Sequence, residues 1–176
     1  VHAAPISPSD LALLITFGGD LANINISGSG EDTVASMKVH PAMMKSMKSR
    51  LDQAMPAGNE GAGVVVDAGS NVKHLTGKTV GLAGGAMYSQ YICVPAINCL
   101  VMDDETTAAE AASSFVNPMT ALSFVETMKM ENHSGIVNTA AASNLGQMLV
   151  KICNDDDIPL VNIVRTQEQV DLLKNI

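Results

Sequence analysis

Six residues at the junction of a predicted strand and a predicted helix are the first candidates for chemistry in this chain. They follow the apolar run 136–140 and comprise Ala141, Ala142, Ser143, Asn144, Leu145 and Gly146. Small residues let a backbone approach a pyrophosphate, and the N-terminus of a helix offers free N–H groups and the positive end of its dipole. In the G-x-G-x-x-G fingerprint the positions are Ala141, Ser143 and Gly146, so only the last glycine is kept. The position between strand and helix nevertheless favours a dinucleotide site.

A basic residue follows the next predicted strand. That strand covers 160–164, and Arg165 comes directly after it. An acidic side chain in this place would bond the ribose 2′-hydroxyl of NAD, whereas an arginine suits a 2′-phosphate. The arrangement therefore favours NADP(H) as the cofactor. The alternative is a solvated arginine at the end of a strand.

The elements that must position these residues change character along the chain. Up to about residue 104, short apolar runs separated by Gly, Asn and Pro predict strands at the spacing of a small, partly open barrel; they cover 64–66, 79–82, 88–94 and 99–101. Beyond it, helices alternate with strands, which is typical of a parallel sheet. The predicted helices are 106–114, 118–130, 144–153 and one from 167 onward, with strands at 136–140 and 160–164. We expect an α/β fold with a β-barrel part, divided into domains 1–110 and 111–176.

The first part of the chain carries three further local patterns. Ser7, Pro8 and Asp10 predict a capped helix start, and the polar, Gly/Ser-rich segment 24–40 predicts a loop. Residues 43–55 predict an amphipathic helix that either packs against the core or forms a flexible lid over an apolar substrate; its apolar face holds Met44, Met47, Leu51 and Met55. In the predicted strand 88–94 the two tyrosines lie on opposite faces, so we expect one in the core and one towards a cleft.

Composition bounds the partners and the compartment. The 176 residues include 18 acidic and 10 basic side chains, a net charge of −8, which argues against nucleic-acid and anionic-membrane partners. No apolar run approaches the ~18 residues of a membrane-spanning helix. The three cysteines form no CxxC pair, no signal peptide is evident, and we expect a reducing cytoplasm. Neither end has the pattern of a natural terminus, so we expect a fragment of a longer protein.

Four segments in order resemble a known superfamily. They are Ala4–Leu11, Gly58–Val65, Asn117–Ala121 and Ala141–Gly146, and they are similar to the medium-chain dehydrogenase/reductase superfamily, specifically its quinone-oxidoreductase-like branch. The similarity covers the chain apart from about 24–56, which has the look of an insertion. It implies a GroES-like N-terminal barrel followed by the first half of a Rossmann fold, with NADP(H) in the cleft between the two domains. It also implies a homodimer for the full-length protein.

The resemblance assigns roles to individual residues. Zinc-dependent members have a Cys where Ser7 stands and a His where Asn59 stands; serine and asparagine are poor zinc ligands, so we expect no metal. Ser7 matches a residue beside the nicotinamide, and we expect Ser7 and Asn59 to face the substrate. Thr120 matches a residue near the nicotinamide ribose, and 143–146 match the pyrophosphate turn. A helix cap remains the alternative for Ser7, and a first-turn hydroxyl for Thr120. Members often hold the 2′-phosphate with a Lys where Gln169 stands, which leaves that role to Arg165.

The implied activity is an NADPH-dependent oxidoreductase that transfers hydride, without zinc, to a quinone or an α,β-unsaturated carbonyl. Its partner would then be a small-molecule electron acceptor. Two alternatives remain at this stage: a non-catalytic NADPH-binding protein on the same fold, and an inactive fragment.

Overall fold

The computed structural model of the protein describes residues 1–11, 20–45 and 48–176. The chain divides into two compact units, Val1–Ala112 and Ser113–Ile176. Within the described residues no helix is long and apolar enough to cross a bilayer.

The first unit begins with short elements. Helix α1 covers Pro8–Leu11, strands β1 (Asn25–Ser27) and β2 (Val34–Ser36) pair antiparallel, and helix α2 covers Pro41–Met44. The predicted loop 24–40 is therefore wrong in part, because it contains this exposed hairpin. Strands of three residues in a polar segment are too short to show a periodicity of two.

The predicted amphipathic helix 43–55 is also wrong among the described residues. Helix α2 ends at Met44, and a 3-10 turn at Lys48–Arg50 is followed by irregular chain. Asp52 has a φ of 57°, a left-handed conformation that no continuing helix permits. The side chains of Leu51 and Met55 are 39% and 48% exposed, so they do not form a packed apolar face; Met47 lies outside the described residues, and the lid stays a prediction.

An antiparallel sheet forms the core of the first unit. It consists of strands β3 (Glu60–Val64), β4 (Thr79–Ala83) and β5 (Cys99–Val101) in that order. Val80, Leu82 and Met87 form its buried apolar cluster. Helix α3 (Ala108–Ala111) packs on β3 and begins with a capping box between Thr107 and Glu110. Within the described residues these three strands form an open sheet. That part of the chain therefore does not contain the predicted barrel in a closed form.

The predicted strand 88–94 is wrong. Its backbone joins no ladder: the Tyr88 N–H donates to the Ala57 carbonyl at 3.0 Å, and the Gln90 carbonyl accepts from the N-terminal ammonium of Val1 at 2.6 Å. Ile92 and Val94 pack against the cluster around Val80. Their alternation therefore reflects packing of an irregular segment on a core, which produces the same sequence pattern as a half-buried strand. The prediction of opposite faces for the two tyrosines fails with the strand.

The second unit has the predicted order of elements. Helix α4 (Val116–Met130), strand β6 (Ile136–Thr139), helix α5 (Asn144–Asp155), strand β7 (Leu160–Ile163) and helix α6 (Gln167–Lys174) follow one another. Strands β6 and β7 pair in parallel, with Thr139 opposite Ile163. One face of this sheet packs on a core of four buried side chains from α4 and α5: Ala121, Val125, Leu149 and Cys153. The opposite face is open, with Val137 and Val161 64% and 60% exposed.

Candidate functional site

The turn between β6 and α5 brings the helix as close to the strand as the backbones allow. Gly146 and Ala141 are both buried, and a Cβ on Gly146 would lie 2.7 Å from the Ala141 Cα and overlap the Ala141 carbonyl. Only glycine fits there, which is the role of the last glycine in a dinucleotide fingerprint. The structure therefore accounts for the one fingerprint glycine that the sequence retains.

Ser143 begins helix α5 as its N-cap. Its Oγ accepts the Gly146 N–H at 3.1 Å, and its carbonyl accepts the Gln147 N–H at 2.8 Å. The N–H groups of Asn144 and Leu145 bond to no acceptor among the described residues, as expected for the first turn of a helix. These two donors and the helix dipole can hold an anion at this point.

Ala140 is a residue of the turn that the sequence analysis missed. It has a φ of 53°, a conformation that costs an L-residue roughly 1–2 kcal/mol. The chain turns here directly after β6, so Ala140 makes the tight bend for which a fingerprint uses glycine. A small residue at the end of the strand was the only signal in the sequence.

A buried amide joins the strands to the helix beneath the turn. Asn138, 4% exposed, lies in β6 opposite Asn162 of β7. Its Nδ2 donates to the Asn162 Oδ1 at 2.9 Å and to the Gly146 carbonyl at 3.3 Å. Sequence reasoning gave Asn138 no role; a polar residue inside an apolar strand was the available signal.

Arg165 lies at the same end of the sheet as the turn. The Ala141 N–H bonds the Ile163 carbonyl at 3.4 Å, which ties the turn to the end of β7. Arg165 is exposed, and no described carboxylate forms an ion pair with its guanidinium. Gln169 turns back, and its Oε1 accepts the Arg165 N–H at 2.9 Å. The backbone of Arg165 is thus fixed two residues after β7, and its exposed side chain is open to an anionic ligand.

Thr120 is engaged within its own helix. It is half-buried in α4, and its Oγ1 donates to the Val116 carbonyl at 2.7 Å. The hydroxyl proton is used in this bond, and only the oxygen lone pairs remain for a ribose. Because α4 begins at Val116, Thr120 lies beyond the first turn that the alternative assumed.

A groove of about 510 Å³ runs beside β6 in the second unit. The turn residues Ala140 and Ser143 line it together with apolar side chains of α4 and α5, among them Phe124 and Leu149. The groove adjoins the anion-binding turn, so an apolar or aromatic group of a bound molecule would have space there.

Ser7 and Asn59 meet in the first unit through a carboxylate. Asp10 is 1% exposed. Its Oδ2 accepts the Ser7 N–H at 2.9 Å and the Ser7 hydroxyl at 2.6 Å, and its Oδ1 accepts the Asn59 N–H at 2.8 Å. Because Ser7 precedes helix α1 and its Oγ also accepts the Asp10 N–H at 3.4 Å, the helix-cap alternative for Ser7 is present in the structure.

Two further side chains complete this group. Ser9 Oγ lies 2.8 Å from Ser7 Oγ and 3.0 Å from Asn59 Nδ2. The Tyr88 hydroxyl donates to the Pro5 carbonyl at 3.0 Å. The Tyr88 ring packs directly over Gly58, which has a φ of 90°. A Cβ added at this position would lie 2.7 Å from the ring, so a side chain there would collide with it. We call the five side chains of Ser7, Ser9, Asp10, Asn59 and Tyr88 the Asp10 cluster.

The cluster keeps Asp10 charged. Burial by itself raises the pKa of a carboxyl, but the hydrogen bonds from Ser7 and the Asn59 N–H outweigh it and hold the pKa of Asp10 below its usual value of 3.8. Burial, followed by the charge of Asp10, raises the pKa of Tyr88. Asp10 is therefore ionised at neutral pH and has no proton to give, and the proton of Tyr88 is directed at the Pro5 carbonyl.

The structure thus groups the predicted residues into two sets. Ser7 and Asn59 belong to the Asp10 cluster of the first unit, and the turn with Arg165 belongs to the second unit. In the described part of the chain no group of three or more His, Cys, Asp or Glu side chains could hold a metal.

Known proteins resemble this chain over nearly all of its length. A candidate NADPH:quinone reductase from Mesorhizobium loti has 27% sequence identity and a TM-score of 0.67, with 99% of this chain and 44% of that protein covered. A candidate NADPH:quinone reductase from Bacillus thuringiensis has 20% sequence identity and a TM-score of 0.66, with 98% of this chain and 44% of that protein covered. A mycobacterial protein solved in complex with NADPH has 20% sequence identity and a TM-score of 0.60, with 72% of this chain and 42% of that protein covered. At 20% identity, the last two likenesses concern the fold alone.

A curated relative is similar in sequence. The mitochondrial enoyl-[acyl-carrier-protein] reductase of Caenorhabditis elegans is 25% identical over 128 residues, which is 71% of this chain and 37% of that protein. No protein-family model matches the chain. The chain spans less than half the length of each of these relatives.

These likenesses define the class. The chain has the mixed α/β fold of the NADPH:quinone reductases, and the predicted resemblance to the medium-chain dehydrogenase/reductase superfamily is confirmed.

Proposed function

We propose that this chain is the substrate-facing and cofactor-binding part of an NADPH-dependent oxidoreductase. The observation that carries the proposal is the β6–turn–α5 arrangement, in which Gly146 packs against Ala141 and two helix N–H groups remain for a phosphate. The relatives support it, because two are described as NADPH:quinone reductases and a third was solved with NADPH.

The residues present fit NADP(H). The pyrophosphate would lie on the turn from Ala141 through Gly146, held by the N–H groups of Asn144 and Leu145. Ala142 is also a small residue of the turn, and its carbonyl accepts a hydrogen bond from Gln147 Nε2 at 2.9 Å. Arg165 would bind the 2′-phosphate, and the oxygen of Thr120 would face the ribose. Ser7 would lie beside the nicotinamide, as the resemblance implies.

The reaction that we propose is hydride transfer to a quinone or an α,β-unsaturated carbonyl. Bound NADPH supplies the hydride, and the protein orients the acceptor and stabilises the negative charge that develops on its oxygen. Without thiolate or imidazole at positions 7 and 59, zinc is not expected to take part. The Asp10 cluster therefore has to supply the hydrogen bonds to this oxygen.

The domain assignment belongs to the same proposal. Residues 1–110 would form a GroES-like domain and residues 111–176 the first half of a Rossmann domain, and the full-length protein would be a homodimer in the cytoplasm. Its partner would be a small electron acceptor, with neither nucleic acid nor membrane involved.

The experiment is a comparison of NADPH and NADH binding by cofactor fluorescence. It uses this 176-residue chain and the longest form that its gene encodes, because the chain spans less than half the length of each relative. We expect Arg165→Ala to weaken NADPH binding by about tenfold or more, the worth of one charge-assisted pair, and to leave NADH nearly unchanged. Lys151→Ala, an exposed cation of α5, is the matched control.

Failure of both forms to bind either nucleotide would contradict the proposal. Binding without turnover over a panel of quinones and enones would favour the non-catalytic alternative. The specific observation for that alternative is that Asp10 is ionised and that the Tyr88 proton is bonded to the Pro5 carbonyl. Binding by the longer form alone would show that the 176-residue chain is the inactive fragment of that alternative.

A further inference from the structure

Four side chains of the Asp10 cluster form one continuous series of hydrogen bonds. Asp10 Oδ2 lies 2.6 Å from Ser7 Oγ, which lies 2.8 Å from Ser9 Oγ, which in turn lies 3.0 Å from Asn59 Nδ2. A charged carboxylate stands at one end of the series and a side-chain amide at the other. The carboxylate is buried, whereas Ser9 is exposed and Asn59 half-buried.

The carboxylate fixes the direction of every bond. An ionised carboxylate only accepts, so Ser7 must donate its single hydroxyl proton to Asp10. Ser7 then accepts from Ser9, which uses the only proton of Ser9. The atom of Asn59 beside Ser9 must therefore be the donor Nδ2, so counting protons orients this amide independently of how its N and O atoms were assigned.

One donor remains after this count. The hydroxyl protons of Ser7 and Ser9 both point inward, and the Tyr88 proton is held by the Pro5 carbonyl. Asn59 Nδ2 carries a second N–H, and within the described residues nothing accepts it. Asn59 therefore retains the only proton that the cluster can offer to a ligand.

We propose that Asn59 is the hydrogen-bond donor to the oxygen of the electron acceptor, and that Asp10 is the positioning residue that directs it, through Ser7 and Ser9. This inference rests on the proposed function and divides a role that the sequence analysis gave equally to Ser7 and Asn59. Ser7 has no hydroxyl proton left to offer a ligand.

The assignment specifies the substrate class. A carbonyl oxygen accepts from the free N–H of Asn59, and the bond strengthens as charge develops on that oxygen during hydride transfer. The cluster orients the substrate and holds no proton for it, so the proton that completes the reduction of an enone or a quinone comes from water.

The test compares the two serines with the asparagine in the longest form that the gene encodes. NADPH affinity is measured by fluorescence, and kcat and KM with a quinone by NADPH oxidation. We expect Asn59→Leu to lower kcat and kcat/KM together by about 100-fold, as for loss of one oxyanion donor, with NADPH affinity retained. Asn59→Gln, which keeps the amide, should recover at least about tenfold of this loss. Ser7→Ala leaves the Asn59 donor in place and breaks the series that positions it, so it should lower kcat by less than Asn59→Leu does.

A second measurement tests the hydrogen bond between Ser9 and the Asn59 amide, and it does not depend on catalytic activity. The side-chain amide signals of Asn59 in a nitrogen-15 spectrum, assigned as the pair that Asn59→Leu removes, should shift in Ser9→Ala. They should stay in place in Ser36→Ala, a change of an exposed serine outside the cluster. Unmoved signals in Ser9→Ala would overturn the role of Asp10.

The remaining outcomes also decide the inference. A loss in Ser7→Ala equal to that in Asn59→Leu, or an unchanged kcat in Asn59→Leu, would overturn the donor role of Asn59. If no form binds NADPH, the proposed function fails and the donor role fails with it, while the amide signals still decide whether Ser9 contacts the Asn59 amide.

Discussion

Asp10 is tolerated in the interior because each of its oxygens is hydrogen-bonded. A buried carboxylate without partners would be strongly destabilising, but Ser7 and Asn59 supply three donors to it. Ser7 and Asn59 are far apart in the chain, so the hydrogen bonds of the Asp10 carboxylate link helix α1 to the segment that precedes β3. The residue that sequence analysis treated as part of a helix cap is therefore also a tertiary contact.

Asp10→Asn tests this contact. An amide in place of the carboxylate turns an N–H towards at least one backbone donor, so we expect a loss of about 1–3 kcal/mol in the free energy of unfolding near pH 7. Because the pKa of Asp10 is lowered on folding, its contribution is complete above 3.8 and is lost as the pH falls through the folded pKa. Urea melts at several pH values should show the two proteins converging at low pH. An equal gap at every pH would contradict the charged role.

Ala140 is the second residue with a measurable conformational cost. Since its φ is 53°, we expect Ala140→Gly to raise the free energy of unfolding by about 0.5–1 kcal/mol. Glycine removes the cost of the left-handed conformation, and the greater conformational entropy that glycine loses on folding offsets part of this gain. Ala142→Gly is the matched control, because Ala142 has no positive φ and should lose stability. Chemical denaturation measures both, and a destabilised Ala140→Gly would refute the strain.

At the scale of elements, the second unit follows from short-range patterns. The N-caps Ser143 and Thr166 each accept an N–H three residues ahead, and the apolar faces of α4 and α5 bury against one sheet face. These signals act within one or two helical turns, which is the range that sequence spacing reports. The predicted bounds of β6, α5 and β7 accordingly agree with the structure within two residues.

The contact between α5 and the turn is the element-scale feature most sensitive to change. We expect Gly146→Ala to destabilise the protein by about 1–3 kcal/mol, since the added methyl meets backbone atoms of Ala141 that cannot rotate away. It should also weaken NADPH binding, because the helix start must shift. Gly69→Ala provides the control, as its Cβ would meet nothing within 4 Å. Thermal melts and cofactor fluorescence measure the two effects, and a stable Gly146→Ala protein would refute the close packing.

At the scale of the whole molecule, three free cysteines report on the two units. Cys93 is exposed, Cys99 intermediate and Cys153 buried. Burial raises the pKa of Cys99, and burial together with the charge of Asp156 raises that of Cys153, so both thiols form little of the reactive thiolate.

Thiol labelling at neutral pH should therefore proceed in a fixed order. We expect Cys93 to react first, Cys99 more slowly, and Cys153 only as the second unit opens. Mass spectrometry of partially labelled protein identifies the sites, and a denaturant series separates opening of the two units. Early modification of Cys153 in the absence of denaturant would contradict its burial in the core of α4 and α5.

The sequence alone determined what depends on neighbours in the chain. The helix start at Ser7, the strand–turn–helix around 141–146 and the alternation of helices and strands after residue 104 are local patterns, and the structure contains them. Tertiary structure decided the rest: the irregular course of 88–94, the end of helix α2 at Met44 and the left-handed Ala140. It also decided the meeting of Asp10 with Asn59, because hydrogen bonds between distant segments leave no periodicity in the sequence, and a segment packed on a core shows the same apolar alternation as a strand.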